Sequence, residues 1–241
     1  MIVNYIEHSG FFLELERHCI LFDYFKGEIP ECENKEKMVT VFVSHKHHDH
    51  FNHKIFDLVH IYPNIRFFIS KDAKMNQTYM IKKNIPKEAF DKIQYVRGNE
   101  QVKLEGMTID TLTSTDQGVA FIVTCEDKVI YHAGDLNWWT WEGESEEESK
   151  TMEKCFANEI EKITGRSIDV AFLPLDPRQE SCYWWGFDYF MRKIDVRYVF
   201  PMHCWEDYSI IRKLLTRKES ESYRKRIIPI TGKGQQFYIQ I

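Results

Sequence analysis

The chain has 241 residues, 43% of them apolar and 29% charged, with a formal net charge of −5. That length and balance are enough to bury a substantial core and exclude a disordered chain. The acidic balance argues against a general nucleic-acid binder, which needs a clustered basic surface, and no apolar run approaches the roughly 20 residues of a membrane helix.

In chain order, Ile2 to Glu7 reads as a strand, His8-Ser9-Gly10 as a turn and Phe11 to Glu16 as the returning strand. Cys19 to Phe22 is a short apolar run ending in Asp23, and Met38 to Val43 is a β-branched run that stops at Ser44 and a histidine cluster. Ile55, Leu58 and Val59 have helical spacing, and Ile65 to Ser70 is strand-like. Residues 71–92 are expected to hold one short helix and one turn, with Pro86 as a start signal. Strands follow at Ile93–Val96, Gln101–Leu104, Met107–Leu112, Val119–Cys125 and Lys128–His132, the last closing on Ala133-Gly134-Asp135.

The second half alternates helix and strand. A helix over Glu146–Ile163 masses its acidic residues at the N-terminal end, where the helix dipole favours them. Then come strand Ile168–Leu175, helix Trp184–Ile194, strand Tyr198–Met202 ending in His203, and helix Tyr208–Leu215. Closing strands at Ile227–Ile230 and Gln236–Ile241 are joined by a hairpin turn at Thr231–Gly234. No linker or repeat interrupts the chain, so residues 1–241 read as one α/β domain with two sheets between helices. The six cysteines lack a C-x-x-C pair and read as free, mostly buried thiols of a reducing cytoplasm. Residues 1–8 lack the pattern of a secretory signal, which points the same way.

Ser44-His45-Lys46-His47-His48-Asp49-His50 contains H-x-H-x-D-H. Neutral imidazole and carboxylate are good ligands for divalent first-row metals. Residues two apart in an extended loop point the same way, so His45 and His47 can converge on one ion. Asp49 and His50, where the chain turns towards a helix, can face a second. Asp135 and His203 also follow strands, so three strand ends deliver ligand-type residues, the usual placement of a site in a layered α/β fold. A solvated histidine-rich loop would not explain that coincidence.

This ordered set, with Asp23 after an early strand, H-x-H-x-D-H, Gly134-Asp135 and a late His203, resembles the metallo-β-lactamase superfamily over nearly the whole chain. Within it, the His8-Ser9-Gly10 opening and the short length look most like the bacterial metal-dependent hydrolases grouped with the ascorbate-6-phosphate lactonase. The resemblance implies a four-layer αββα sandwich, His45 and His47 on a first metal, Asp49, His50 and His203 on a second, and Asp135 as the bridging carboxylate. The family's further histidine on the first metal is missing; the matching region reads Ser114-Thr115-Asp116-Gln117-Gly118. Asp116 either takes its place, hardening the site towards manganese or iron, or is a turn residue bonded to local backbone, with only one ion firmly held. The implied cofactor is one or two divalent ions, zinc first, with manganese or iron as alternatives.

The implied activity is hydrolysis of a small-molecule lactone, ester, amide or phosphodiester by a metal-activated water, with Asp49 orienting the nucleophile and passing a proton to the leaving group. A nuclease of the same superfamily, an iron oxidoreductase and a non-catalytic metal-binding relic are the rival readings. The expected partner is a small molecule, with no membrane and no nucleic acid; a homo-oligomer stays open. Asp23 is expected to fix the tautomer of a ligand imidazole. His8 lines the pocket or serves as a structural turn residue, and His132 points away from the metals. Arg178 either holds a substrate phosphate or carboxylate or pairs with nearby acids. Trp138 is the first candidate for the pocket wall.

Overall fold

The computed structural model describes residues 1–241. The N-terminal part supplies β1 (Ile2–Glu7), β2 (Gly10–Glu14), β3 (His18–Phe22), β4 (Met38–Val43), β5 (Ile65–Ser70) and β6 (Ile93–Val96). These form a seven-stranded sheet that the last strand, β13 (Gln235–Tyr238), joins beside β1. The facing six-stranded sheet has the order β12-β11-β10-β9-β8-β7, built from β7 (Gln101–Leu104), β8 (Met107–Thr113), β9 (Val119–Cys125), β10 (Lys128–His132), β11 (Ser167–Pro174) and β12 (Asp195–Met202).

β3, β4, β5 and β6 pair in parallel, and so do β10, β11 and β12. Parallel strands need cover on both faces and read as continuous apolar runs. β3 and β4 show why: Ile20, Phe22 and Phe42 point into the core between the sheets, whereas Cys19, Leu21, Val39, Val41 and Val43 enter a second core on the outer face. The 3₁₀ segment His53–His60 and the helices α1 (Gln77–Lys82) and α2 (Lys87–Phe90) contribute to that outer core through Ile55, Phe56, Leu58, Met80 and Ala89. On the other side, α3 (Glu146–Glu161) and α4 (Trp185–Lys193) bring Phe156, Ile160, Phe187 and Phe190 to the second sheet, where Phe190 lies 4.7 Å from the Tyr131 ring. α5 (Ser209–Thr216) adds Ile210, Ile211 and Leu214. The α/β sandwich expected from the pattern is the observed fold.

Four details differ from the sequence reading. Residues 71–92 hold two short helices, α1 and α2, after a 3₁₀ turn at Lys71–Ala73, where one helix was expected. Residues 53–60 wind as a 3₁₀ helix, capped by the Asn52 side chain accepting from Lys54 N–H. The C-terminal hairpin does not form: Ile227 bridges Val199 of β12 in parallel, while β13 pairs with β1, so Thr231–Gly234 lies on a crossing from one sheet to the other. A final strand closing the edge beside β1 satisfies more backbone than a two-stranded ribbon would. Cys19 and Cys32 are joined in a disulfide instead of standing as free thiols, and Cys155 is exposed.

Candidate metal centre

Parallel pairing puts the C-terminal ends of β3 and β4, and those of β10, β11 and β12, on common edges. Asp23, Ser44, Asp135, Asp176 and His203 follow at or just beyond those ends. Two glycines let the loops close on one another. At Gly118 (φ 74°) a Cβ would lie 1.9 Å from the Ser44 carbonyl oxygen, and at Gly134 (φ 51°) 2.6 Å from Ser44 Cβ. Val119 N–H donates to Ser44 O at 2.9 Å, tying the two sheets together at this point.

The side chains gather into two donor sets. His8, Asp49, His50 and His203 form one and His45, His47, Asp116 and Asp135 the other, with the potential ligand atoms of each set within 4.8 Å of one another. Asp135 stands between them: Oδ1 lies 3.2 Å from His50 Nε2 and 3.5 Å from His203 Nε2, and Oδ2 lies 3.4 Å from His45 Nε2. Asp116 Oδ2 is 3.6 Å from His47 Nδ1, so the residue at the departure from the family pattern reaches the cleft. The turn around it is held by other groups, Asp116 N–H donating to Ser114 Oγ and Ser114 N–H to Gly118 O.

Buried carboxylates set the tautomers. His50 Nδ1–H donates to Asp23 Oδ2 at 2.8 Å, and His203 Nδ1–H to Asp176 Oδ2 at 2.9 Å. Ser44 donates to Asp23 through both N–H and Oγ–H, which leaves Ser44 Oγ to accept from His45 Nδ1–H at 2.9 Å. All three imidazoles therefore turn an unprotonated Nε2 to the cleft; those of His50 and His203 have no partner, and that of His45 accepts from His47 Nδ1–H at 3.0 Å. Burial pulls His45 down to about 2 and His203 to about 4, and His50 well below the ordinary histidine value, so the rings stay neutral. Asp135 is pushed well up by burial and by the carboxylates of Asp23, Asp49, Asp116 and Asp176. Burial opposes ionisation of Asp49 too, but the neighbouring His8 and His50 hold it below its ordinary value.

The donor chemistry fits a metal on an observation independent of the motif. His8 Nε2, His50 Nε2, Asp135 Oδ1 and His203 Nε2 are all buried without a hydrogen-bond partner. Leaving one such atom unsatisfied costs on the order of 1–3 kcal/mol, and four of them converge. A divalent cation satisfies lone pairs and relieves the crowding of carboxylates together.

His8 is more central than a turn residue: its Nε2 lies 3.4 Å from Asp49 Oδ2 and its ring 4.1 Å from that of His203. Its position depends on a left-handed backbone (φ 59°), shared with His203 (φ 63°), whose N–H donates to His8 O at 3.1 Å. His132 does point away, donating from Nε2 to Ser9 O at 2.9 Å and stacking on Phe22. Trp138 is misplaced in the sequence reading: it packs with Trp185 and Tyr189 beside α4 in a separate depression. Trp139 and Trp141 wall the metal cleft, together with Thr115, Met152 and Arg178. Asp176 was missed as a functional residue; its signal was the same as for Asp135, a carboxylate directly after a buried strand.

Two donor sets sharing one carboxylate, at strand ends between facing sheets, define a metal-centre protein of the layered α/β class. The chain belongs to the metallo-β-lactamase superfamily, residues 2–149 matching the family described as a beta-lactamase superfamily domain. The sequence matches no curated protein. Among solved structures, the fold is similar to a metallo hydrolase from the hyperthermophilic archaeon Ignicoccus hospitalis, with TM-score 0.64, 17% identity and all of both chains covered. It is also similar to the isothiocyanate hydrolase from Delia radicum gut bacteria, with TM-score 0.57, 12% identity and 99% of each chain covered. A diiron beta-hydroxylase from Streptomyces venezuelae shares the fold as well, at TM-score 0.55 and 12% identity over 84% of this chain and 44% of that one. No helix of this chain is long and apolar enough to cross a membrane.

Proposed function

We propose that the protein is a metal-dependent hydrolase acting on a carbonyl or phosphoryl centre of a small molecule. The observation that carries this reading is the convergence of four buried, unpartnered donor atoms from His8, His50, Asp135 and His203. In this reading His45, His47, Asp116 and Asp135 hold one divalent ion and His50, His203, Asp49 and Asp135 the other, with His8 beside them. Bound divalent ions supply Lewis acidity and make water a competent nucleophile near neutral pH.

The chain's own residues do the rest. Asp23, Ser44 and Asp176 aim the imidazoles. Asp49 lines the cleft as an ionised carboxylate, so its oxygens accept a hydrogen bond from an attacking water and pass a proton to the leaving group. Trp139, Trp141 and Met152 exclude bulk water from one side and strengthen each polar interaction inside.

The test is elemental analysis of protein expressed in medium supplemented with zinc, manganese and iron, followed by assays on lactones, esters, amides and phosphodiesters. The expected result is a bound divalent metal, turnover of at least one class that a chelator abolishes and the metal restores, and a lower metal content in His47→Ala. Metal-free protein from supplemented medium, or turnover indifferent to chelation, overturns the reading.

A further inference from the structure

The cleft before the donor sets has a volume of about 360 Å³, within the range of small-molecule sites. One of its wall residues is a cation fixed on several sides. Arg178 Nε lies 3.0 Å from both oxygens of Asp176, and Nη2 donates to the same carboxylate. The guanidinium carbon sits 4.5 Å from the Trp205 ring centre and 5.9 Å from that of Trp141. Trp141 in turn lies parallel to Trp139, 5.9 Å away at an interplanar angle of 6°. Yet the Arg178 side chain is 50% exposed, and every hydrogen bond recorded for it runs from Nε or Nη2, which leaves the Nη1 edge open.

Each constraint has a consequence for recognition. The carboxylate and the indoles lower the entropy lost when a ligand is clamped, because the planar fork is already oriented. The open edge offers parallel N–H donors that match a carboxylate or phosphate and are wasted on a neutral group. The paired indoles beside it offer a flat apolar face. Asp176 also fixes His203, so the cation and the metal set are held in register by one carboxylate.

We propose that the substrate is a small organic anion, whose carboxylate or phosphate group is received by Arg178 while its apolar body lies against Trp139 and Trp141. This inference rests on the hydrolase reading and names the substrate class of the same cleft.

The experiment titrates zinc-loaded protein by tryptophan fluorescence with three probes: phenylacetate, phenyl phosphate and the neutral phenylacetamide. Wild type and Arg178→Gln are compared, with zinc content measured on both. The expected result is that the substitution weakens the better of the two anions by about tenfold, an effect of about 1.4 kcal/mol, leaves the amide within about twofold, and leaves zinc unchanged. Which anion responds identifies the group recognised. An anion preference unchanged in Arg178→Gln overturns the proposal, and so does a preference lost together with zinc, which would place the effect on His203 through Asp176. Anion preference that persists in a protein turning over no ester, lactone, amide or phosphodiester would sink the hydrolase reading and not the anion site.

Discussion

Asp23 accepts the Nδ1–H of His50 at 2.8 Å, with both side chains fully buried. Orienting carboxylates of this kind raise ligand basicity and fix the ring that coordinates. Asp23 holds His50 directly and His45 through Ser44, so it steers one imidazole of each donor set. Asp23→Asn should therefore weaken metal binding by about 10–100-fold while the chain stays folded. Competition with a chromogenic chelator measures this, and an affinity within about twofold of wild type would show that Asp23 is only a strand-end structural group.

Asp116→Ala should lower metal content by removing one donor from the set that contains His45 and His47. The set built on His8, Asp49, His50 and His203 keeps all its donors. Asp116→His should restore the loss and shift preference towards zinc, imidazole being the softer ligand. Stoichiometry by mass spectrometry with zinc and manganese in competition decides the point. Unchanged stoichiometry in the alanine variant would make Asp116 a bystander.

The legible parts of this fold were those written in short-range pattern. The β-branched run Met38–Val43, the histidine cluster after it and the strand-end positions of Asp135 and His203 all depend on local sequence, and they place six of the eight donors. For His8 the sequence left a pocket residue and a turn histidine both open, because its approach to His203 depends on left-handed backbone at both residues and on pairing between distant strands. No motif marks Asp176, whose role appears only where β11 and β12 align it with His203. The C-terminal crossing was illegible for a related reason: a turn-like Thr231–Gly234 does not specify which sheet the next strand joins. Trp138 and Trp139 are adjacent in sequence yet serve different surfaces, a choice made by tertiary packing alone.

Chelated protein should lose stability as the solution is acidified from neutrality. The folded values of His45, about 2, and His203, about 4, lie below the ordinary 6.5 that the unfolded chain shows. Below pH 6.5 the unfolded state binds protons that the folded state refuses, so the stability present above 6.5 falls as pH drops, towards 4 for His203 and towards 2 for His45. The loss is on the order of 1 kcal/mol per pH unit for each such histidine. Asp23 and Asp135, whose folded values are raised, act in the opposite sense, but they are two groups against the four buried imidazoles of His45, His50, His132 and His203, all of them lowered. Calorimetry of the metal-free protein should show Tm falling between pH 7 and pH 5; a flat or rising Tm across that interval would contradict it.

Asp135→Asn should have opposite effects on the metal-free and metal-loaded protein. Asp135 is buried, faces both donor sets and meets the carboxylates of Asp23, Asp49, Asp116 and Asp176. Without a cation, those neighbours make its ionised form costly, and the isosteric amide removes that cost. With cations present, the same substitution removes the one charge shared by the two sets, and an amide oxygen is a much poorer ligand. Tm of the chelated variant should rise above that of chelated wild type, by about 2–4 °C for each 1 kcal/mol gained in a chain of this size. The increase in Tm on adding zinc, large in wild type, should shrink or vanish in the variant, since that increase measures preferential binding to the folded state. A lower Tm for the chelated variant would mean that Asp135 is held by structural hydrogen bonds, and an undiminished zinc response would mean that it does not bridge the two sets.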